Sequence, residues 1–209
     1  MNTILYYLHD PMCSWCWGYK PVWDTLQQKL PASIPIEYVA GGLAPDSNSP
    51  MPIAQQKMIQ SHWRTIEKKL GTRFNHDFWH NNTPRRSTYN ACRAVIAAHK
   101  QGYQESMIYA IQRAYYVDAL NPSDIDILIG LAKGLSEQLT SNFNLAQFIT
   151  DINAADIENE LIKQVHLAQA LSQQGFPSLV LEVNGIRQQI AIDYSSYKPT
   201  LVDIMTRIS

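Results

Sequence analysis

Sequence patterns typical of β-strands occur only near the two ends of the chain, and this distribution limits the possible folds more than any other feature. Apolar, β-prone runs occupy residues 3–8, 35–40, 178–183 and 186–192. Residues from about 50 to 165 instead show apolar side chains at helical spacing. A helical block of that length is too long to be a connection within one compact sheet layer. We therefore predict an α/β unit that carries an inserted helical subdomain.

Local signals predict where several elements begin and end. A helix is expected to begin at Cys13 and to end before Pro31, with a kink or break at Pro21, because proline lacks the amide that a helix needs. Asn184-Gly185 predicts a tight hairpin between the last two strands, and a final helix is expected after it. Helices within the block are predicted from about Ile59 to Leu70, where Gly71 follows, and at about 87–100, 103–118, 123–139, 144–152 and 156–173.

Length and composition suit one large domain, or one domain with an insertion. Of the 209 residues, 45% are hydrophobic and 17% are charged, so the chain can bury a sizeable core. The formal net charge is −1 and no run of Lys or Arg exceeds two residues, which argues against nucleic acid or a membrane as partner. No apolar stretch reaches transmembrane length, and the N-terminus lacks signal-peptide features. A cytoplasmic location is therefore expected.

The segment Cys13-Ser14-Trp15-Cys16 directly follows the first predicted strand and opens a helix. Two cysteines at this spacing suit a redox dithiol, half of a zinc site, or a structural pair. Zinc would need two more ligands, and the only close histidine pair, His76 and His80, lies far along the chain. The helix N-terminus favours a thiolate at the first cysteine, and a thiolate is the nucleophile in disulfide exchange. We therefore expect redox chemistry, with Cys13 as the attacking thiolate and no metal or organic cofactor.

A second feature lies at the other end of the chain, where Gly175-Phe176-Pro177-Ser178 immediately precedes the third strand. Proline is tolerated at the first position of a strand, although it has no N–H to donate. Alone this is weak evidence. Together with a Cys-x-x-Cys that follows an N-terminal strand, it forms a pair of motifs in an order that can be compared with known families.

The order strand, Cys-x-x-Cys, helix, strand, then a Phe-Pro-Ser-led strand, hairpin and helix resembles the thioredoxin fold. The large all-helical insertion is similar to that of the DsbA-like branch, and Asp10–Gly18 resembles the motif of predicted protein-disulfide isomerases of the FrnE-like type. This branch is related to 2-hydroxychromene-2-carboxylate isomerases and kappa-class glutathione transferases. The resemblance implies that residues 1–48 and 166–209 are the two halves of the thioredoxin fold and that residues 49–165 are the insertion.

The resemblance also implies roles for individual residues. Cys13 matches the exposed catalytic nucleophile, and Cys16 matches the resolving cysteine. Pro177 matches a cis-proline beside the sulfurs, which would leave the Phe176 backbone free to pair with an extended substrate segment. Trp15, on the turn between the sulfurs, is a candidate apolar rim for substrate. These five residues form the predicted site.

The sequence departs from better-known relatives at two points. Tyr7 occupies the position, six residues before the first cysteine, where thioredoxin-type enzymes often carry an acidic residue that helps proton transfer. Asp10, Glu37 or water would have to substitute. The dipeptide Ser14-Trp15 also lacks the histidine of the strongly oxidising members, so oxidant, reductase and isomerase activities all stay open.

The expected function is therefore that of a thiol-disulfide oxidoreductase, or protein-disulfide isomerase, acting on protein or small-molecule thiols and disulfides. One alternative is a glutathione-dependent transferase or isomerase, which a binding hole near Asn82, Arg85 and Ser178 would favour. Those enzymes typically carry Ser at the first cysteine position, whereas both cysteines are present here. The polar turn 81–86 includes Arg85-Arg86 and could meet an anionic thiol such as glutathione. The other alternative is a non-enzymatic thiol stress sensor or adaptor.

The remaining candidates are expected to have mainly structural roles. Cys92 shares a helical face with apolar residues and is predicted to be a buried structural cysteine. Trp17 and Tyr19 are predicted to pack in the core, and His9 is close enough to the cysteines to be considered as a group that tunes them.

Overall fold

A computed structural model describes residues 2–138, 140–172 and 174–208 of the chain. A four-stranded mixed sheet lies at its centre, with the strand order β2-β1-β3-β4. Strand β1 pairs parallel to β2 on one side and antiparallel to β3 on the other, and β3 and β4 form the predicted hairpin. The strands are β1 (Thr3–His9), β2 (Ile36–Ala40), β3 (Ser178–Val183) and β4 (Ile186–Ile190).

The helices that accompany this sheet confirm the predicted α/β class with a helical insertion. They are α1 (Ser14–Lys29), α2 (Ile53–Leu70), α3 (Phe78–Asn81), α4 (Tyr89–His99), α5 (Gln104–Tyr116), α6 (Ile125–Ser136), α7 (Leu145–Asp151), α8 (Ala155–Leu171) and α9 (Lys198–Ile208). Only the short α3 was not predicted. Two predicted helix ends, residues 139 and 173, lie outside the described residues. Among the described helices, none is long and apolar enough to cross a bilayer.

The buried apolar residues form several clusters, and the two largest organise the two parts of the fold. One lies between the sheet, α1 and α9, and includes Leu5, Leu26 and Ile204, all fully buried. The other fills the insertion between α4, α5, α6, α7 and α8. Helix α8 packs against both β2 and α4, so it links the insertion to the sheet. The division at residues 48/49 and 165/166 stays a prediction, and α8 runs through the second of these boundaries.

A kink or a break was predicted at Pro21. Helix α1 continues through this residue, so the break is wrong and the kink stays a prediction. Pro21 lies on the exposed side of the helix, where its ring removes the hydrogen bond that the Trp17 carbonyl would otherwise accept and crowds that carbonyl, at a cost of about 3 kcal/mol. Tyr19, Trp23 and Leu26 on the opposite side are buried against the sheet. Burial of each large apolar side chain contributes roughly 1.5–3 kcal/mol, which offsets the lost hydrogen bond.

Candidate active site

Cys13 lies at the junction between β1 and α1. The tight turn after β1 is closed by a hydrogen bond from the Cys13 amide to the Asp10 carbonyl (3.0 Å), and the Trp17 amide donates to the Cys13 carbonyl (3.1 Å). Cys13 is thereby the N-cap residue of α1, and its side chain makes no capping bond there. Its residue surface is 7% exposed. The first sulfur therefore lies at the positive end of the helix dipole, as the sequence predicts.

Cys16 lies one helical turn further along and is completely buried. Both cysteines are free thiols in this structure. Burial, followed by hydrogen bonding to Cys13 and the charge on that neighbouring sulfur, raises the pKa of the Cys16 thiol well above its ordinary value. The backbone amide of Asp10 acts in the opposite direction. Cys16 therefore keeps its proton at neutral pH until a base removes it.

The loop before β3 covers the first sulfur. The Phe176–Pro177 peptide bond is cis, as the resemblance implies. The Cys13 thiol donates a hydrogen bond from Sγ to the Phe176 carbonyl oxygen, over 3.4 Å. The aromatic ring of Phe176 lies directly over Gly41, where an added β-carbon would be 2.0 Å from the ring. A glycine at the end of β2 is thus what permits this loop to approach.

The buried carboxylate of Asp10 lies beneath this loop. From the sequence, Asp10 was considered only as a possible substitute for the acidic residue that Tyr7 replaces. Asp10 is completely buried, and its Oδ2 accepts hydrogen bonds from the Leu43 amide (2.7 Å), the Thr88 hydroxyl (2.7 Å) and the Cys92 thiol (3.7 Å). Its Oδ1 accepts from the Met12 amide at 2.8 Å. Burial raises the pKa of Asp10, and these four donors oppose that effect. The carboxylate therefore ties the loop after β1 to the loop after β2 and to the start of α4.

The position of the usual acidic residue is apolar. The Tyr7 ring stacks on Trp23, with 4.1 Å between ring centroids, and burial raises the pKa of its hydroxyl well above the ordinary value. A neutral phenol of this kind is no base at physiological pH. Glu37, another residue considered for this role, is exposed on β2. His9 is buried beside Tyr7, and neither of its ring nitrogens has a partner among the described residues.

A front cavity of about 210 Å³ opens onto Cys13. Trp15 and Phe176 line it beside the sulfur, and α2 contributes an apolar wall that includes Met58 and Ile59. On its other side lie Arg85 and Arg86 of the polar turn. Arg85 forms an ion pair with Asp124. Arg86 forms no ion pair within the described part of the chain, so its cation is available to a ligand.

A more open groove lies on the other side of the Phe176 loop. It measures about 390 Å³ and is lined by Pro177, Ser178, Ile190 and Tyr194. Trp15 and Phe176 line both this groove and the front cavity. The Trp15 ring is only partly buried and meets the Tyr194 ring edge to face at 5.3 Å.

The structure separates the three residues of the suggested glutathione hole. Arg85 lies in the front cavity, whereas Ser178 lies in the groove. The Asn82 amide is used elsewhere, because it donates to the carbonyls of Phe78 (3.0 Å) and Ala119 (2.8 Å). The three residues therefore do not line one cavity, and the turn contributes Arg85 and Arg86 to the front cavity.

The other candidates occupy the places expected of structural residues. Cys92 and Tyr19 are completely buried, and Trp17 stacks on Tyr116 with 5.9 Å between ring centroids. His76 contacts Glu67. Within residues 2–138, 140–172 and 174–208, no group of three or more His, Cys, Asp or Glu side chains is arranged to hold a metal ion.

The sheet, the helical insertion and the cis-proline loop beside two thiols define the fold of the DsbA-like thiol-disulfide oxidoreductases. The chain belongs to the thioredoxin family, whose model matches residues 6–200. Among solved structures it is similar to a candidate protein disulfide isomerase from Nitrosomonas europaea, with a TM-score of 0.84 and 26% identity over 100% of this chain and 99% of that one.

Two other comparisons are more distant. The cytosolic disulfide reductase DsbM from Pseudomonas aeruginosa matches with a TM-score of 0.76 and 22% identity, covering 98% of each chain, and a DsbM structure with glutathione matches with a TM-score of 0.74. The ClpXP adapter protein SpxH of Halalkalibacterium halodurans is 22% identical over 212 residues, which cover 96% of this chain and 67% of that protein.

Proposed function

We propose that the protein is a thiol-disulfide oxidoreductase, acting as a reductase or isomerase of protein and small-molecule disulfides through Cys13 and Cys16. The observation that carries this proposal is the asymmetry of the two thiols. Cys13 opens onto the front cavity at the start of α1, and Cys16 is completely buried one turn behind it. Only the first sulfur can meet a substrate, and only the second is placed to displace that substrate afterwards.

The chemistry needs two exchanges. The Cys13 thiolate attacks one sulfur of a substrate disulfide, forms a Cys13–substrate disulfide, and releases the other substrate sulfur as a thiolate. Cys16 then loses its proton and attacks the Cys13 sulfur. A Cys13–Cys16 disulfide forms and the second substrate thiol leaves, so the protein has given up two electrons. The same steps in reverse oxidise a substrate dithiol, and no metal or organic cofactor is required.

The groove beside the cis-proline loop is the proposed site for a peptide substrate. Trp15, Phe176 and Pro177 supply its apolar rim; Trp15 and Phe176 also line the front cavity with Cys13, whose Sγ donates to the Phe176 carbonyl. An extended segment that lies along this loop can pair with its backbone, as an added strand, while its cysteine meets Cys13. Substrate affinity in this arrangement comes mainly from main-chain hydrogen bonds, which do not depend on the substrate's side chains, and this suits an enzyme that acts on many protein disulfides.

The front cavity suits a compact anionic thiol, and glutathione is the proposed reductant. At about 210 Å³ the cavity holds a small molecule or one arm of a larger one, and the unpaired guanidinium of Arg86 can bind a carboxylate with two parallel hydrogen bonds. The structure of P. aeruginosa DsbM with glutathione supports this assignment, and its description as cytosolic supports a cytoplasmic location for the present protein.

The central experiment measures insulin reduction and the oxidation of a dithiol peptide, together with the reduction potential of the Cys13–Cys16 pair. Cys13→Ser should abolish both activities. Cys16→Ser should stop turnover and accumulate a Cys13–substrate disulfide that mass spectrometry detects. Cys92→Ser is the matched control and should keep both activities. Full activity of the Cys13→Ser protein would refute the proposal.

Glutathione as reductant is tested separately. Arg86→Gln should raise the glutathione concentration needed for half-maximal reduction of the Cys13–Cys16 disulfide by about tenfold, the effect of losing one charge-assisted interaction. The same variant should react unchanged with 2-mercaptoethanol, which carries no charge. Arg64→Gln, at an exposed position on α2, serves as the control. Equal effects on both thiols would exclude recognition of the carboxylate.

A binding role is the second candidate, favoured by the SpxH match. An adaptor would bind a partner chain whether or not Cys16 can resolve a mixed disulfide. Retention of partner binding by the Cys16→Ser protein, without catalytic turnover in the wild type, would favour that role. A glutathione transferase or isomerase would instead keep its turnover when Cys16 is replaced.

A further inference from the structure

A second, much smaller cavity reaches Cys16 from the side opposite the substrate. It measures about 30 Å³ and lies between α1, β1, β2 and α5. The buried residues Cys16, Tyr7 and Gln112 line it, together with the less buried side chains of Lys20, Asp24, Gln27, Tyr38 and Glu105. We name this space the rear cavity.

The volume of the rear cavity decides what it can hold. One water molecule needs roughly 10–15 Å³ measured in this way, so there is room for about two waters and none for a substrate. The lining is polar enough to bind them. Gln112 is only 2% exposed, and its side-chain oxygen has no hydrogen-bond partner among the residues described. A water bound in the rear cavity would satisfy that buried acceptor.

The resolving step requires a proton acceptor, because burial holds the pKa of Cys16 high. Tyr7 occupies the usual acidic position and cannot act as a base. Asp10 is also poorly suited, since its two oxygens already accept four hydrogen bonds and a carboxylate offers about four lone-pair positions. His9, beside Tyr7, has two ring nitrogens without a hydrogen-bond partner among the described residues, but burial lowers its pKa to about 3 and makes it a weak base. None of these three groups is therefore a good acceptor for the proton.

Two carboxylates line the rear cavity, and they differ in their partners. Both oxygens of Asp24 are bound by the Lys20 ammonium group at 2.7 Å. Glu105 forms no ion pair within the described residues; it accepts a hydrogen bond from the Gln27 amide at 3.3 Å, and its carboxylate also interacts with the Tyr38 hydroxyl and helps to raise the pKa of that phenol. The same amide donates to the Tyr38 hydroxyl at 2.7 Å. Glu105 is therefore the carboxylate with free acceptor capacity.

Tyr38 and Gln27 fix this arrangement and do not carry the proton themselves. The Tyr38 oxygen accepts from the Gln27 amide and from the Trp23 indole, at 2.7 and 3.2 Å, so both of its lone pairs are occupied. A hydroxyl in that state cannot take up another proton without breaking one of these bonds. Water in the rear cavity has no such restriction and can pass a proton on.

We propose that Glu105 accepts, through water in the rear cavity, the proton that Cys16 loses when it resolves the Cys13–substrate disulfide. This inference rests on the proposed function. As the Cys16–Cys13 bond forms and the Cys13–substrate bond breaks, the bonding electron pair leaves with the substrate sulfur. The proton of Cys16 passes to the Glu105 carboxylate, and the released thiolate is protonated by solvent. The helical insertion thereby supplies the base that the β1 position lacks.

Other titratable groups near Cys16 and Glu105 also influence how the rate of the resolving step depends on pH. They are Cys13, Asp10, Tyr7, Tyr116 and Tyr194 around the sulfur, and Lys20, Asp24 and Tyr38 around the rear cavity. Burial raises the pKa of each of the four tyrosines, so all four stay neutral during the reaction. Lys20 and Asp24 neutralise each other.

The test uses an aromatic disulfide that releases a coloured thiolate, added to the reduced full-length protein in a stopped-flow instrument. Attack by Cys13 releases one equivalent at a rate that rises with reagent concentration. Resolution by Cys16 releases a second equivalent at a rate that does not. Cys16→Ser should remove the second phase and so identifies it. The rate of the second phase is followed from pH 5 to pH 9.

Glu105→Gln should slow the second phase by about a hundredfold at pH 7, the lower end of the range for loss of a general base. Added imidazole should restore part of the rate, and the first phase should not change. Asp24→Asn removes a carboxylate from the same cavity and should stay within about twofold of the wild type, because that group is ion-paired. An unchanged second phase in Glu105→Gln, or equal slowing in both variants, would overturn the inference. Absence of a Cys13 phase in the wild type would instead refute the proposed function.

Discussion

Replacing His9 with phenylalanine is expected to make the protein less sensitive to acid. The His9 ring is 1% exposed and lies parallel to the Tyr7 ring, with 5.4 Å between centroids. Burial lowers the pKa of His9 from 6.5 to about 3. Phenylalanine keeps an aromatic ring at this position, although a somewhat larger one, and it cannot take up a proton. The substitution therefore removes one titration and retains an aromatic side chain beside Tyr7.

The size of the effect follows from proton linkage. Below pH 6.5 the unfolded chain protonates His9, whereas the folded protein does not do so until about pH 3. The folded state therefore binds fewer protons in this window, and stability falls as the pH decreases through it. Each pH unit well below the unfolded pKa costs about 1.4 kcal/mol, so His9 alone removes roughly 2 kcal/mol between pH 6.5 and pH 4.5. Above pH 6.5 the ring is neutral in both states and contributes no pH dependence.

Urea denaturation at pH 7 and pH 4.5 measures this difference directly. The free energy of unfolding of His9→Phe should fall less than that of the wild type between the two pH values, by roughly 2–3 kcal/mol. Any cost of fitting the larger ring is independent of pH and cancels in this comparison. The control His80→Gln removes an exposed imidazole and should leave the wild-type difference unchanged. The reasoning fails if wild type and His9→Phe lose equal stability on acidification.

Two further substitutions test the loops around Cys13. Thr88→Val removes a donor from the buried Asp10 carboxylate and should destabilise the protein by about 1.5–3 kcal/mol at pH 7. The Thr88 bond lowers the pKa of Asp10, so its loss should raise that pKa further. The difference in free energy of unfolding between wild type and Thr88→Val should therefore grow as the pH rises and shrink in acid. A difference that does not depend on pH would contradict this explanation. Gly41→Ala places a β-carbon 2.0 Å from the Phe176 ring and should cost roughly 1–3 kcal/mol in urea denaturation and slow disulfide exchange. Gly130→Ala, with open space around it on α6, should instead stabilise by up to about 1 kcal/mol, and equal behaviour of the two alanine variants would count against the proposed packing of this loop.

Local patterns were sufficient for most of the fold. The strand from Ser178 to Val183 has the predicted bounds, and the αL conformation of Gly71 ends α2 where the sequence places the stop. These features depend on spacing and on single-residue conformational preferences, and both can be recognised from residues close together in the sequence. The continuity of α1 through Pro21 was not predictable in this way, because it depends on what the opposite helix face buries.

Local sequence patterns also failed to predict those parts of the site that depend on contacts between residues distant in the chain. Cys13, Cys16 and the cis bond before Pro177 follow from short motifs and a family resemblance. The partners of Asp10 lie 33, 78 and 82 residues further along, at Leu43, Thr88 and Cys92, and no local pattern connects these positions. The role proposed for Glu105 was likewise not predictable from the sequence. An exposed glutamate in the first turn of a helix is common, and only the tertiary structure places this one beside the rear cavity.

The hydrogen bond between Cys13 and the Phe176 carbonyl joins residues that are 163 positions apart in the chain. During biosynthesis both thiols therefore leave the ribosome long before the loop that flanks them. At roughly 5–20 residues per second, the delay is about 8 to 33 seconds. A nascent chain carries an unpaired dithiol for that time, and a prematurely terminated chain carries it permanently. The active site is therefore complete only after the C-terminal part of the chain has been synthesised. Truncated chains would carry the two thiols without the Phe176–Pro177 loop, so their removal is of particular importance.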